Sequence, residues 1–218
     1  METAIRTLSL AMILTSFVAV GARSMRRAIQ AYMAQALLMV AVIAAFATIH
    51  TALVVWAATA FVTKFAIISW LLRRALAGGE DREVEPLVGP VASAAVVGAL
   101  AVASYELVHH HVSFLAPTPA AELEPYRTNV AVALTLVALG LYAIVTRRDA
   151  LKVVIGVCLI ENGAHLSLVT LATTMHETVL IGVVTDVVVA VFLLLYLIHG
   201  IVERTGSRDT SRLSLLKG

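Results

Sequence analysis

Four ionisable side chains stand in stretches that are otherwise oily: Lys64, Glu161, His165 and Asp186. The richest of these stretches is residues 146–173, TRRDALKVVIGVCLIENGAHLSLVTLAT. It opens on Arg147, Arg148, Asp149 and Lys152, then runs apolar for about one bilayer thickness, and midway carries Glu161 and Asn162 followed by His165. An ionised carboxylate at that depth is expensive, and Asp, Glu and His inside membrane segments commonly mark proton relays. Glu161 and His165 are four apart and Cys158 and Glu161 three apart, so on a helix all three share roughly one face. Asp186 sits in VVTDVVVAVFLLLYL. At about 1.5 Å per residue, Glu161 lies some 17 Å into its segment and Asp186 roughly 14 Å into the next. Antiparallel neighbours would then hold the two acids within about 4–9 Å of each other in depth. Two carboxyls close together and out of water exchange charge for a proton readily, which is the chemistry of proton uptake and release. The plainer reading makes Glu161 a neutral, hydrogen-bonded packing group. Lys64 is expected to pair with an acid of this chain or of a neighbouring subunit, or to reach toward the membrane edge near Arg73.

These groups must be positioned by membrane helices. Sixty per cent of the 218 residues are hydrophobic and only 14% charged, with a mean hydropathy of +0.94, well outside the soluble-domain average. A spanning helix needs about 20 apolar residues, and backbone in lipid is either helix or closed barrel. Seven spans follow, making an all-α integral membrane protein: Ala4–Ala22, Ala28–Thr48, Ala52–Leu72, Leu87–His109, Thr128–Val145, Ala150–Thr173 and Thr178–Val202. Only Thr48, Ile49, His50 and Thr51 part the second span from the third, which calls for a tight turn.

Charge sets the orientation. The loops after spans one, three and five, with the tail, hold Arg23, Arg26, Arg27, Arg73, Arg74, Arg82, Arg147, Arg148, Lys152, Arg204, Arg208, Arg212 and Lys217, leaving Arg6, Arg127 and Lys64 of the 16 basic residues elsewhere. The positive-inside rule then places the N-terminus outside and the C-terminus in the cytoplasm. A cleavable signal peptide ending near Val20-Gly21-Ala22 is the competitor for span one, and it would strand Arg23, Arg26 and Arg27 on the wrong side.

The net charge of +2 argues for no nucleic-acid partner. The one cysteine, Cys158, excludes a disulfide framework and a Cys-ligated iron–sulfur or nickel–iron centre in this chain. Three adjacent histidines, His109, His110 and His111, cannot share a helix face and make a poor metal site. His199 and Glu203 are spaced as an i,i+4 pair, and His176 and Glu177 mark a turn. The run Gly78-Gly79-Glu80-Asp81-Arg82-Glu83 is expected to be solvated, and the tail from Glu203 onward to stay flexible or lie along a partner. Phosphate-binding, zinc-protease and nucleophile-elbow motifs are all missing from the sequence. A Pro-rich stretch with Pro117, Pro119 and Pro125 divides a four-helix part, 1–127, from a three-helix part, 128–218.

Arg147-Arg148-Asp149, Ile155-Gly156-Val157, Glu161-Asn162 and Asp186 make the last 90 residues resemble the small NuoK-type subunit of respiratory complex I, a module that recurs in Mrp-type sodium/proton antiporters as their MrpC protein. In that family an acid follows Ile-Gly-Leu, where Cys158 stands here, and Glu161 comes one turn later. With four further N-terminal helices, the chain is similar to component E of hydrogenase-4 and formate hydrogenlyase-type complexes. The resemblance implies a non-catalytic membrane-arm subunit in the cytoplasmic (inner) membrane, with Glu161 and Asp186 as relay acids and His165 and Lys64 as neighbours. It also implies antiporter-like membrane subunits as partners and a peripheral redox arm reached indirectly. The chain itself would hold no cofactor, the nickel–iron and iron–sulfur centres belonging to partner subunits. An antiporter subunit and a structural assembly subunit are the rival readings.

Overall fold

The computed structural model describes residues 2–49, 51, 53–77, 80–171 and 177–211, with the side chains of 177–186 outside that description. Among these residues seven helices are long and apolar enough to cross a membrane, and the protein is a multi-pass membrane protein. They are α1 (Glu2–Gly21), α2 (Met25–Ala47), α3 (Leu53–Leu76), α4 (Pro90–Leu115), α5 (Tyr126–Thr146), α6 (Ala150–Leu171) and α7 (Glu177–Thr205). The expected seven spans are therefore present. The helix α4 starts at Pro90, where the ring's fixed φ suits a first helical position. It continues past His109 to Leu115 across a distorted His111 (φ −131°, ψ 26°), so the expected span Leu87–His109 is shifted along the chain. Leu87 instead donates its N–H to the Thr146 carbonyl at 3.0 Å.

The interior is built by α1, α2, α5 and α6. Along α1 the buried residues Ile5, Ser9, Met12, Ser16 and Ala19 alternate steps of four and three, the spacing of a seam that packs along its length. Ile5 and Met12 join Met39, Val42, Ile43 and Phe46 of α2, Val132 and Leu136 of α5, and Leu166 and Val169 of α6 in one apolar cluster. The closest approach is α5 on α6. A Cβ on Gly140 would come 2.5 Å from the Gly156 carbonyl oxygen, and one on Gly163 would come 2.6 Å from that of Ala133. Glycine is required there because backbone meets backbone. By contrast α4 and α7 present mostly outward faces, with Val91, Val102 and Phe114 on the first and Phe192, Tyr196 and Leu197 on the second.

One membrane edge is rich in arginine and departs from expectation. The run 80–83 is not simply a solvated loop. Asp81 caps α2, accepting from the Arg26 N–H at 2.8 Å and the Ser24 hydroxyl at 2.9 Å. Glu83 is buried and lies 3.5 Å from Arg147. The first part of the tail folds back as well: Ala150 donates to the Arg208 carbonyl, and Thr210 to that of Arg148. Residues 212–218 lie outside the described set. Lys152, expected among the loop charges, is fully buried in the first turn of α6. Its ammonium donates to the carbonyls of Ala19, Val20 and Ala22 at 2.7, 3.0 and 2.7 Å, so it closes the C-terminus of α1, where a cation is favoured. Burial pushes the carboxyl of Asp149 up from its ordinary value, against the opposing pull of Arg208. Burial does the same to Glu83, opposed by Lys152 and Arg147.

Candidate functional site

Lys64 belongs to a π-helical segment, Phe61–Ile68, inside α3. The cause is legible in the burial pattern: Trp56, Ala60, Lys64, Ile68, Leu72 and Leu76 recur every four residues. A period of four outruns the 3.6 residues of an α-turn, and a stretch of wider π-turns brings the stripe back to face the interior. Lys64 thereby points inward at 1% exposure. Its ammonium donates to Glu161 Oε2 and, at 2.7 Å, to Asn162 Oδ1. The structure thus settles its partner as an acid of this chain.

Glu161 and His165 share the face that their spacing requires. His165 Nδ1 lies 3.0 Å from Glu161 Oε1, yet neither His165 nitrogen has an aligned hydrogen-bond partner. The imidazole meets the Trp56 ring edge-on, centroids 5.5 Å apart. Tyr32, on α2, packs its hydroxyl beside Cys158, one turn from Glu161. Around the ion pair several buried polar atoms find no partner among the described residues: Glu161 Oε1, the Asn162 amide nitrogen, both His165 nitrogens and the Trp56 indole nitrogen. Buried polar atoms in native proteins are satisfied by protein or by ordered water, and these atoms stand beside a buried charge pair. Asp186 is helical within α7, but its side chain, like those of His176 and Glu177, falls outside the described residues.

Two other clusters are local. His199 and Glu203 form an exposed i,i+4 pair at 3.1 Å. His109 and His110 bond back to the carbonyls of Tyr105 and Glu106 in the preceding turn.

Over 210 residues the chain is 34% identical to hydrogenase-4 component E of Escherichia coli K12, covering 95% of this chain and 94% of that one. The proteins of the same description in Escherichia coli O157:H7 and Shigella flexneri match to the same extent. The chain belongs to the hydrogenase-4 component E family. Residues 129–218 also match the family described as NADH-ubiquinone/plastoquinone oxidoreductase chain 4L. No solved structure matches it.

The segment that matches the chain 4L family contributes Glu161, Asn162 and His165, whereas Lys64, Trp56 and Tyr32 come from the residues before it. The ion pair thus ties the two segments together across 97 residues of sequence. Trp56 and Tyr32 were not singled out by the sequence, since an aromatic in an apolar run carries no mark of what it faces. The one available signal was the period-four stripe that sets Trp56 and Lys64 on a common side.

Proposed function

We propose that the chain is a non-catalytic membrane-arm subunit of a complex-I-related nickel–iron hydrogenase complex, and that its buried groups move protons within the membrane. The observation that carries the reading is the Lys64–Glu161 ion pair, held deep among spanning helices and ringed by unpartnered polar atoms. A salt bridge kept only for stability is poorly served by such surroundings, because a buried pair needs its remaining hydrogen bonds satisfied. Water supplies them and also gives protons a path. A proton arriving at Glu161 cancels its charge and frees the Lys64 ammonium from its counter-ion. His165, with Nδ1 3.0 Å away, is the next group on the path. Asp186 on α7 is the fourth member, and the relay passes between the chain 4L segment and α3.

In this reading residues 1–127 form a four-helix support for the three-helix unit 128–218. The arginine-rich edge faces the cytoplasm and the N-terminus faces outward, as the charge distribution supports. The chain sits in the inner membrane among antiporter-like subunits, and nickel–iron and iron–sulfur centres belong to partners in a peripheral arm. The test replaces Glu161 with Gln and Asp186 with Asn and follows proton pumping by vesicles, with complex assembly verified. Loss of pumping at retained assembly is expected. Undiminished pumping in the assembled double variant removes the relay.

A further inference from the structure

A second set of orphaned polar groups lies outside the ion-pair cluster. Ser9 on α1 and Asn129 on α5 are both fully buried, and among the described residues the Ser9 hydroxyl and both amide atoms of Asn129 have no hydrogen-bond partner. Each is flanked on its own helix by members of the interior apolar cluster, Ser9 by Ile5 and Met12, and Asn129 by Val132. Their depth follows from contacts. Gly163 stands against Ala133 and Val137, and Gly140 against Gly156 and Ile160, so in this antiparallel register Val169 comes opposite Asn129. Asn129 is therefore four residues, about 6 Å, nearer than His165 to the membrane edge that carries the Pro-rich stretch. Ser16 accepts from Gln35 at 2.7 Å, and Ser9, seven residues earlier, lies about 10.5 Å toward that same edge. Beside Asn129, Thr128 bonds Glu124 at 2.6 Å, and Glu124 is partly exposed.

We infer that Ser9 and Asn129 hold ordered water between α1, α5 and α6, and that this water carries protons from His165 to the edge near Glu124. The inference rests on the proposed relay and gives it an exit. An apolar lining with no polar atoms stays dry, but a buried amide left with neither donor nor acceptor satisfied bears an uncompensated desolvation cost, and water bridging polar partners removes it. In depth the steps are short: Glu161 Oε1 lies 3.0 Å from His165 Nδ1, and Asn129 is about one turn beyond His165 along the helix axes. The same edge is the outer one if the arginine-rich edge is cytoplasmic.

The test uses the whole complex in vesicles, with Cys158→Ala as background. Ser9→Cys, Asn129→Cys and the control Val132→Cys are exposed to silver ion from the Pro-rich side, and the thiols left unreacted are alkylated after denaturation. Silver ion is small enough to enter a file of water. Capture at positions 9 and 129 at least about tenfold faster than at 132 is expected; equal rates overturn the inference. A second arm measures pumping by Asn129→Leu with Ser9→Ala. Pumping should fall severalfold, with Asn129→Ser retaining it. Full pumping in the assembled Leu/Ala variant rejects the exit even where the Glu161→Gln, Asp186→Asn variant has lost pumping, whereas undiminished pumping in the latter rejects the relay itself.

Discussion

The sharpest prediction concerns the buried ion pair taken as a unit. Lys64→Met leaves Glu161 without its cation, and Glu161→Gln leaves Lys64 without its anion, each in surroundings where the partner is at most 8% exposed. An orphaned ion neutralises itself rather than remain charged in the interior. From ordinary aqueous values, neutralising a glutamate at pH 7 costs about 3.7 kcal/mol and neutralising a lysine about 4.6 kcal/mol. Both figures agree with the 3–5 kcal/mol typical of breaking one side of a buried pair. For a chain of this length about 2–4 °C of Tm goes with each kcal/mol, so Lys64→Met should lower Tm by up to about 15 °C and Glu161→Gln by up to about 18 °C. The double variant, with no charge left to bury, should regain most of the loss. The assay is a double-mutant cycle on thermal unfolding of the purified subunit in mild detergent, and a coupling energy above about 2 kcal/mol is expected. Additive losses would mean that the two charges do not share one buried environment. The double variant also separates stability from transport, since it should fold and yet fail to pump.

Gly140→Ala forces a methyl to within 2.5 Å of the Gly156 carbonyl, and backbone cannot yield as a side chain does; a Tm loss of about 2 °C or more is expected, from overpacking of about 1–3 kcal/mol or greater. Lys152→Met removes the ammonium that closes the end of α1 and should lower Tm by at least about 6 °C, from roughly 3 kcal/mol of charge-assisted hydrogen bonds; an unchanged melting curve would contradict that capping role. Arg208→Ala severs the contact with Asp149 at 3.4 Å and should speed hydrogen exchange at the Thr210 amide without altering exchange at Leu136. Asp81 is held below the usual carboxylate range, first by the Arg26 N–H and then, against some burial, by Ser24 and nearby arginines. A depressed carboxyl stabilises the fold above its unfolded value and loses that effect as pH falls through its folded one, so Arg26 amide exchange, corrected for intrinsic rate, should accelerate below pH 3.8.

What the sequence determined by itself was everything that hydrocarbon enforces. Long apolar runs had to become spanning helices because lipid offers the backbone no hydrogen bonds, and the i,i+4 spacing of Glu161 and His165 had to place them on one face. The stretch around Glu161-Asn162 likewise carried the family resemblance without coordinates. The partners of those groups were a different matter. Nothing local to Lys64 distinguishes a reach toward Arg73 from a bond to Glu161, because that choice depends on which helix lies opposite and on a π segment that turns Lys64 inward. Lys152 and Glu83 read as loop charges for the same reason: a charge near a helix end looks solvated until another chain segment covers it. Only the assembled tertiary structure decides burial, since burial belongs to pairs of distant segments, and it was the α1 terminus, the 80–84 segment and the folded-back tail that closed over these residues.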